Sequence, residues 1–438
     1  VTSQNWVYRG LIGHDYVATA TNNVNEANLI TADNFGTDVT ISDDATLMAV
    51  GARKGDGFSD DSTDSGEVYL YKFDDGDFTN ATLIGRIGKG YTGNNDLDIS
   101  SLTKADKFGR SVSFDSTGSR LVVGATGDDG NPNNNDNNNV TNAGAVYLIT
   151  FTDSNGNAST NFENPEHVGT IGYGYTNDKD VDLSKQGDNK APVIEASDLF
   201  GVSVALDGDA DVLAVGVYGD DGYDEKGSGT ANTIADSGSV FMISFDDSDF
   251  TGGKVVSRIG NGYTQEEGYA DSTCYTNRAC ASFTNDFNTR DHADLEQKNK
   301  DRFGWSTTLN HDGSLLAVGR INDDGNRDQI NNVGAVNLFK FMDAGSIVSA
   351  ATGKATYVGT IGYGYDYLDT SDTSEHSVTH QQNDLFGRSV AFDKDASHLA
   401  VGFNDKSSPD GIAKPGAVHL YTLTADLASA TLVATVGD

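Results

Sequence analysis

One passage recurs five times along the chain, and that repetition constrains the fold before any single residue does. The anchors are Asp33-Asn34-Phe35-Gly36, Asp106-Lys107-Phe108-Gly109, Asp198-Leu199-Phe200-Gly201, Asp301-Arg302-Phe303-Gly304 and Asp384-Leu385-Phe386-Gly387, spaced 73 to 103 residues apart. A long period running through the whole length means one small unit repeated in series, each unit leaning on its neighbours to bury its faces.

Each repeat reads as four strands. After the anchor comes an alternating run such as Ser111-Val112-Ser113-Phe114, the period of a half-buried strand. A tight turn follows (Asp115 to Gly118, Asp207 to Ala210, Asn310 to Gly313), then a more uniformly apolar run ending in Gly51, Gly124, Gly216, Gly319 or Gly402. Such a run suits a strand covered on both faces. The third strand is Glu67-Val68-Tyr69-Leu70-Tyr71 and its counterparts; the fourth carries Ile87-Gly88, Ile171-Gly172, Ile259-Gly260 and Ile361-Gly362. Four antiparallel strands without a helical period are the content of a propeller blade. The expected fold is all-β: a five-bladed β-propeller of four-stranded antiparallel blades in one repeat domain. The blades run over residues 33–105, 106–197, 198–300, 301–383 and 384–438, after an extra N-terminal strand and linker in 1–32.

The combination of Phe-Gly-x-Ser-Val, Leu-Ala-Val-Gly-Ala, Asp-Asp-Gly and Gly-Ala-Val-Tyr-Leu resembles the FG-GAP repeat of integrin-α-type β-propellers, with a pattern closest to bacterial, often marine, surface proteins. The resemblance spans nearly the whole chain and implies the propeller fold, whereas propellers host many functions. Relatives bind Ca²⁺ through an Asp-x-Asp-x-Asp-Gly loop in the first hairpin of a blade. Here that hairpin is only a tight turn, Asp207-Gly208-Asp209 and Asp393-Lys394-Asp395 being its nearest approaches, so that site does not carry over.

The acidic residues that do recur lie between the second and third strands: Gly55-Asp56-Gly57, Asp128-Asp129-Gly130, Asp220-Asp221-Gly222, Asp323-Asp324-Gly325 and a degraded Pro409-Asp410-Gly411. Oxygen-rich loops with glycine turns suit calcium, which makes Asp128, Asp129, Asp220, Asp221, Asp323 and Asp324 candidate ligands. The competing reading is that Asp-Asp-Gly builds the turn through side-chain to backbone hydrogen bonds. The Asp of each anchor is read as an Asx-type fastener, and each Gly-x-Gly-Tyr (Gly88 to Tyr91, Gly172 to Tyr175, Gly260 to Tyr263, Gly362 to Tyr365) as a bend with a packed tyrosine whose hydroxyl is paired. Cys274 and Cys280 are expected to close a small disulfide loop in an oxidising compartment. His376 and His380 share helical spacing beside Asp372 and Glu375, but Ser377 stands where a zinc protease needs Glu.

Charge narrows the function. With 65 acidic against 29 basic residues the net charge is -36, so no basic face exists to neutralise phosphates and nucleic acid is not an expected partner. No stretch approaches the roughly 20 apolar residues of a membrane span, so membrane insertion is not expected. Residue 1 does not open a signal peptide, which fits a secreted chain already processed. Gly-x-Ser-x-Gly is absent, and no cysteine has a partner histidine. The expectation is therefore an extracellular or cell-surface module, structural or adhesive and not an enzyme, whose partners are copies of itself, another surface protein or a glycan. Its alternatives are a soluble lectin-like or protein-binding propeller and, further off, a hydrolase or lyase acting on polysaccharide. Residues 6 to 16 look like a sixth fourth strand with its tail, so Trp6, Tyr8, Leu11 and Ile12 are expected to form an assembly strand that pairs either at the seam closing the ring or with a neighbouring molecule.

Overall fold

The computed structural model describes residues 8–16, 23–27, 29–30, 32–131, 140–184, 193–222, 234–263, 285–292, 295, 297–326, 330–365, 382–403 and 416–437. The chain falls into two compact units, Val1–Asp128 with Leu148–Val168 and Asp129–Tyr147 with Gly169–Asp438.

The described residues are almost wholly β. A two-stranded parallel pair, β1 (Ile12–Gly13) with β2 (Val24–Asn25), precedes five blades. Blade 1 is β3 (Phe35–Ile41), β4 (Leu47–Ala52), β5 (Glu67–Lys72), β6 (Thr82–Gly88) and β7 (Leu97–Asp98), paired in that order. Blade 2 is β8 (Phe108–Phe114), β9 (Arg120–Ala125), β10 (Ala145–Phe151), β11 (Pro165–Gly172) and β12 (Val181–Asp182), its residues shared between the two units. Blade 3 is β13 (Ser203–Leu206), β14 (Val212–Val217), β15 (Ser239–Ser244), β16 (Lys254–Gly260) and β17 (Phe287–Asn288). Blade 4 runs β18 (Phe303–Leu309), β19 (Leu315–Arg320) and β20 (Ala335–Asp343), with β21 (Ser346–Ile347) and β22 (Lys354–Gly362) both paired to β20. Blade 5 has four strands, β23 (Ser389–Phe392), β24 (His398–Phe403), β25 (Ala417–Leu423) and β26 (Ala430–Val436).

The second strand of blades 1 to 4 is buried along its whole length, which explains why β4, β9, β14 and β19 read as unbroken Leu, Ala and Val runs. Around them lie the cores. In the first unit Met48, Val50, Tyr69, Tyr71 and Phe73 gather with Leu29 and take Ile12 and Val24 against them. In the second unit Val240, Met242, Phe303, Val318 and Phe339 form one cluster, and Leu338, Phe386, Leu399, Val401 and Tyr421 another.

The short parallel strand that follows the fourth in blades 1 to 3 was not anticipated. Ile87-Gly88 pairs with Leu97-Asp98, Ile171-Gly172 with Val181-Asp182, and Ile259-Gly260 with Phe287-Asn288. Two flanking side chains clip it. Asp96, Asp180 and Asp286 accept the N–H of Arg86, Thr170 and Arg258 at 2.7, 2.7 and 2.8 Å. Asp98, Asp182 and Asn288 accept the N–H of Gly90, Gly174 and Gly262 at 2.7, 3.0 and 2.9 Å. The N-terminal pair reproduces this clip: Asn23 accepts from Leu11 N–H at 2.8 Å and Asn25 from Asp15 N–H at 2.9 Å. Residues 11–15 and 23–26 thus repeat the clip at the tail of a blade.

Candidate functional site

Two carboxylates recur in every complete blade, and their surroundings decide what they can do. The anchor aspartate is buried in four copies, as Asp33, Asp106, Asp301 and Asp384, and half-buried in the third blade, as Asp198. Asp33, Asp106, Asp198 and Asp301 accept the backbone N–H of the residue three positions earlier (Ile30, Thr103, Glu195 and Lys298) at 2.7 to 2.8 Å. On its two sides the chain takes left-handed conformations: Ala105 and Lys107 have φ of 69° and 59°, Lys300 and Arg302 have 69° and 58°. Side chains other than glycine pay for that conformation, and the aspartate holds the chain in it.

The second carboxylate set is the Asp-Asp-Gly loop. Its second aspartate fastens the loop's far end: Asp129, Asp221 and Asp324 accept the N–H of Asn142, Asp236 and Asn332 at 2.7 to 2.8 Å, and Asp56 does the same for Asp64 at 2.8 Å. The first aspartate, Asp128, Asp220 or Asp323, is buried. Asp220 accepts from the hydroxyls of Ser239 and Tyr263, both at 2.6 Å. Asp323 accepts from the Tyr365 hydroxyl at 3.0 Å and forms an ion pair with Arg320. In blades 3 and 4 the tyrosine of Gly-x-Gly-Tyr is therefore the hydroxyl partner of the loop carboxylate within its own blade.

Blade 1 reaches the same end by another route. Gly55 stands where the other loops have their first aspartate, and the carboxylate comes from Glu67 on β5. Glu67 accepts from Tyr69 at 2.8 Å and from Tyr91, and a Cβ on Gly55 would run into that carboxyl.

Burial brings these acids close enough to perturb them. Asp198 is pushed up to about 8, first by burial and then by Asp220 beside it. Asp301 is pushed up to about 7 by burial, with the Arg320 guanidinium opposing and Asp323 adding to the rise. Among the described residues no three His, Cys, Asp or Glu side chains converge as a metal shell. The partners seen for Asp129, Asp220, Asp221, Asp323 and Asp324 are backbone N–H groups, hydroxyls and a guanidinium. Calcium needs six to eight oxygens.

The blade-to-blade joint is the other repeated construction. The residue before each Phe and the Phe itself donate their N–H groups to the residues just ahead of the preceding blade's third strand. Phe108, Phe200, Phe303 and Phe386 donate to Ser65, Ala143, Ser237 and Val333 at 2.8 to 2.9 Å. Glycine is required because the backbones touch: a Cβ on Gly51, Gly216 or Gly319 would collide with the carbonyl of Gly109, Gly304 or Gly387 in the next blade.

Five such blades, each built on an Asp-x-Phe-Gly turn and joined through glycine, define a β-propeller. More narrowly, the FG-GAP repeat profile matches residues 29–71, 102–149 and 190–234, around the anchors of blades 1 to 3. No curated protein matches the chain. Among solved structures, a 6-phosphogluconolactonase of putative function from Bacteroides fragilis is 11% identical over 92% of this chain and 71% of that one, with a TM-score of 0.37. Its counterpart from Bacteroides uniformis is 8% identical over 91% and 84%, at 0.40. Hydrazine synthase from Kuenenia stuttgartiensis is 10% identical over 94% and 69%, at 0.39. These likenesses say nothing about activity here.

Of the other expected site residues, Tyr8 and Leu11 are exposed and Ile12 lies in β1. Trp6, the pair Cys274 and Cys280, the histidines His376 and His380, and Pro409-Asp410-Gly411 lie outside the described residues. The reading of the sequence passed over the position just after Phe-Gly. It is Thr37, Arg110, Val202, Trp305 and Arg388 in the five blades, so the most regular part of the repeat is also where it breaks its own pattern.

Proposed function

We propose that the protein is an extracellular, non-enzymatic structural module that attaches to copies of itself through the contact that joins its own blades, with its acidic loops displayed outward. The observation that supports this reading is an exposed first-strand face on blade 1 and another on blade 5, each taken within its own unit. A Cβ on Gly36 of blade 1 would meet no described atom within 4 Å, and one on Gly402 of blade 5 would meet Ser389 on the adjacent strand β23. At the equivalent glycines of the inner joints a neighbouring backbone stands in the way.

Exposure tells the same story. Val39 and Ile41 on β3 are 46% and 42% exposed, whereas their equivalents on β8, Val112 and Phe114, are 4% and 5% exposed. On β23, Ser389 and Ala391 are exposed where Ser203 and Ala205 of β13 are buried. Covering what is still exposed of these two aliphatic side chains contributes about 1 kcal/mol each to an association. An extracellular address is supported by the FG-GAP repeats and the net charge of -36, and no helix among the described residues is long and apolar enough to cross a membrane. The non-enzymatic reading rests on the repeated carboxylates, which are engaged in fastening turns.

Sedimentation and electron microscopy of the wild type beside a Val39→Lys/Ile41→Lys variant test the proposal. The expected result is concentration-dependent assembly in the wild type and its loss in the variant, with an unchanged melting temperature because both positions are exposed in the single chain. Strictly monomeric wild type at high concentration, or undiminished assembly of the variant, would overturn it.

A further inference from the structure

In the second unit four side chains gather around the anchor turns of blades 4 and 5. The rings of Tyr218 and Trp305 lie 5.0 Å apart with planes tilted by 45°. The Arg302 guanidinium sits 5.3 Å from the Tyr218 ring centre and 5.7 Å from that of Trp305; the Arg388 guanidinium is 5.3 Å from Trp305. Tyr218, Arg302 and Trp305 are half-buried and Arg388 is exposed.

Arg302 is unlike the buried arginines of this chain. Arg258 is matched to Asp286 at 2.6 Å and Arg320 to Asp323. The Arg302 guanidinium makes no hydrogen bond or ion pair with a described residue, and its Nε is buried without a partner. In a chain of net charge -36, a cation held between two aromatic rings without a carboxylate runs against the composition. The fold does not demand this arrangement, since Val202 occupies the Trp305 position in blade 3 and Leu199 and Leu385 the Arg302 position in blades 3 and 5.

We infer that Tyr218, Arg302, Trp305 and Arg388 bind a sugar bearing a carboxylate, of the uronic acid class. The half-buried indole and phenol, stacked with the guanidinium groups, offer apolar contact to the sugar beside them, and the Arg302 guanidinium offers paired donors to the acid. A guanidinium already shielded on one face by an aromatic ring pairs more strongly with an anion. A neutral sugar leaves those donors unpaired, and sites built around a charged hydrogen bond discriminate strongly against analogues lacking it.

The test is titration calorimetry with a galacturonate oligosaccharide and with the neutral galactose oligosaccharide of the same length, on the wild type, Arg302→Gln and Trp305→Ala. The acidic sugar is expected to bind saturably, the neutral one and the Arg302→Gln variant to be weaker by about ten- to a hundredfold, and Trp305→Ala to lose both. Melting of Arg302→Gln should match the wild type. No saturable binding by the wild type, equal affinity for the neutral sugar, or an Arg302→Gln variant that binds as tightly as the wild type would overturn the site. So would an Arg302→Gln variant that melts early while the wild type binds neither sugar, since the cluster would then be a packing device.

Discussion

At the scale of single residues, blade 1 shows that the repeat conserves an interaction and not a position. A carboxylate meets the blade's tyrosine in blades 1, 3 and 4; the loops of blades 3 and 4 supply it from their first aspartate position, and blade 1 supplies it from Glu67 because Gly55 leaves the room. Gly55→Ala is expected to push that carboxyl off Tyr69 and Tyr91 and to cost about 1–3 kcal/mol in chemical denaturation. The double variant Gly55→Asp/Glu67→Ala, which restores the arrangement of the other blades, should recover most of the loss. Acid pairing also sets the response to pH. Folded, Asp198 keeps its proton to about 8 and Asp301 to about 7, while in the unfolded chain both release it near 3.8. Between those limits the folded state binds more protons, so stability falls as pH rises from about 4 to 8, by up to about 1.4 kcal/mol per pH unit for each proton. Asp198→Asn, which still accepts the Glu195 N–H, is expected to flatten the pH profile of the melting temperature.

At the scale of elements, the strands were legible because Phe-Gly, Leu-Ala-Val-Gly and the third-strand run carry their own alternation and their own stops. The parallel clip was not legible by period, since a two-residue strand has none. Its signal is chemical: Asp96-Leu97-Asp98, Asp180-Val181-Asp182, Asp286-Phe287-Asn288 and Asn23-Val24-Asn25 each put an apolar residue between two short acceptors. The acidic loops were read as turns or as calcium ligands, and the hydrogen bonds from Asn142, Asp236 and Asn332 favour the turn. Melting curves in EGTA and in millimolar calcium are accordingly expected to coincide. A ligand held by the folded state alone would raise stability by about 2.7 kcal/mol at a hundredfold excess over its dissociation constant. The Trp305 cluster escaped the sequence because its members are scattered over 171 positions from Tyr218 to Arg388, and only the fold brings them together.

At the scale of the whole molecule, charge and self-association oppose each other. A net charge of -36 repels a second copy in dilute buffer, and salt screens that repulsion over about 8 Å at physiological strength. Assembly is therefore expected to strengthen as ionic strength rises from low to physiological and beyond, read as a shift of the sedimentation profile toward larger species, whereas association driven by opposite charges would weaken. The joint described above has a further consequence for how the chain finds its native order. Because the anchor turns of blades 2 to 5 dock through the same backbone contacts, a blade finds its proper neighbour by being tethered close to it, at the high local concentration a short link provides. That bias is weakest where the link is longest, between Tyr263 and Asp301. During refolding at high protein concentration the turn of blade 4 is the one that a stranger's blade 3 captures most often, so chain exchange should begin there.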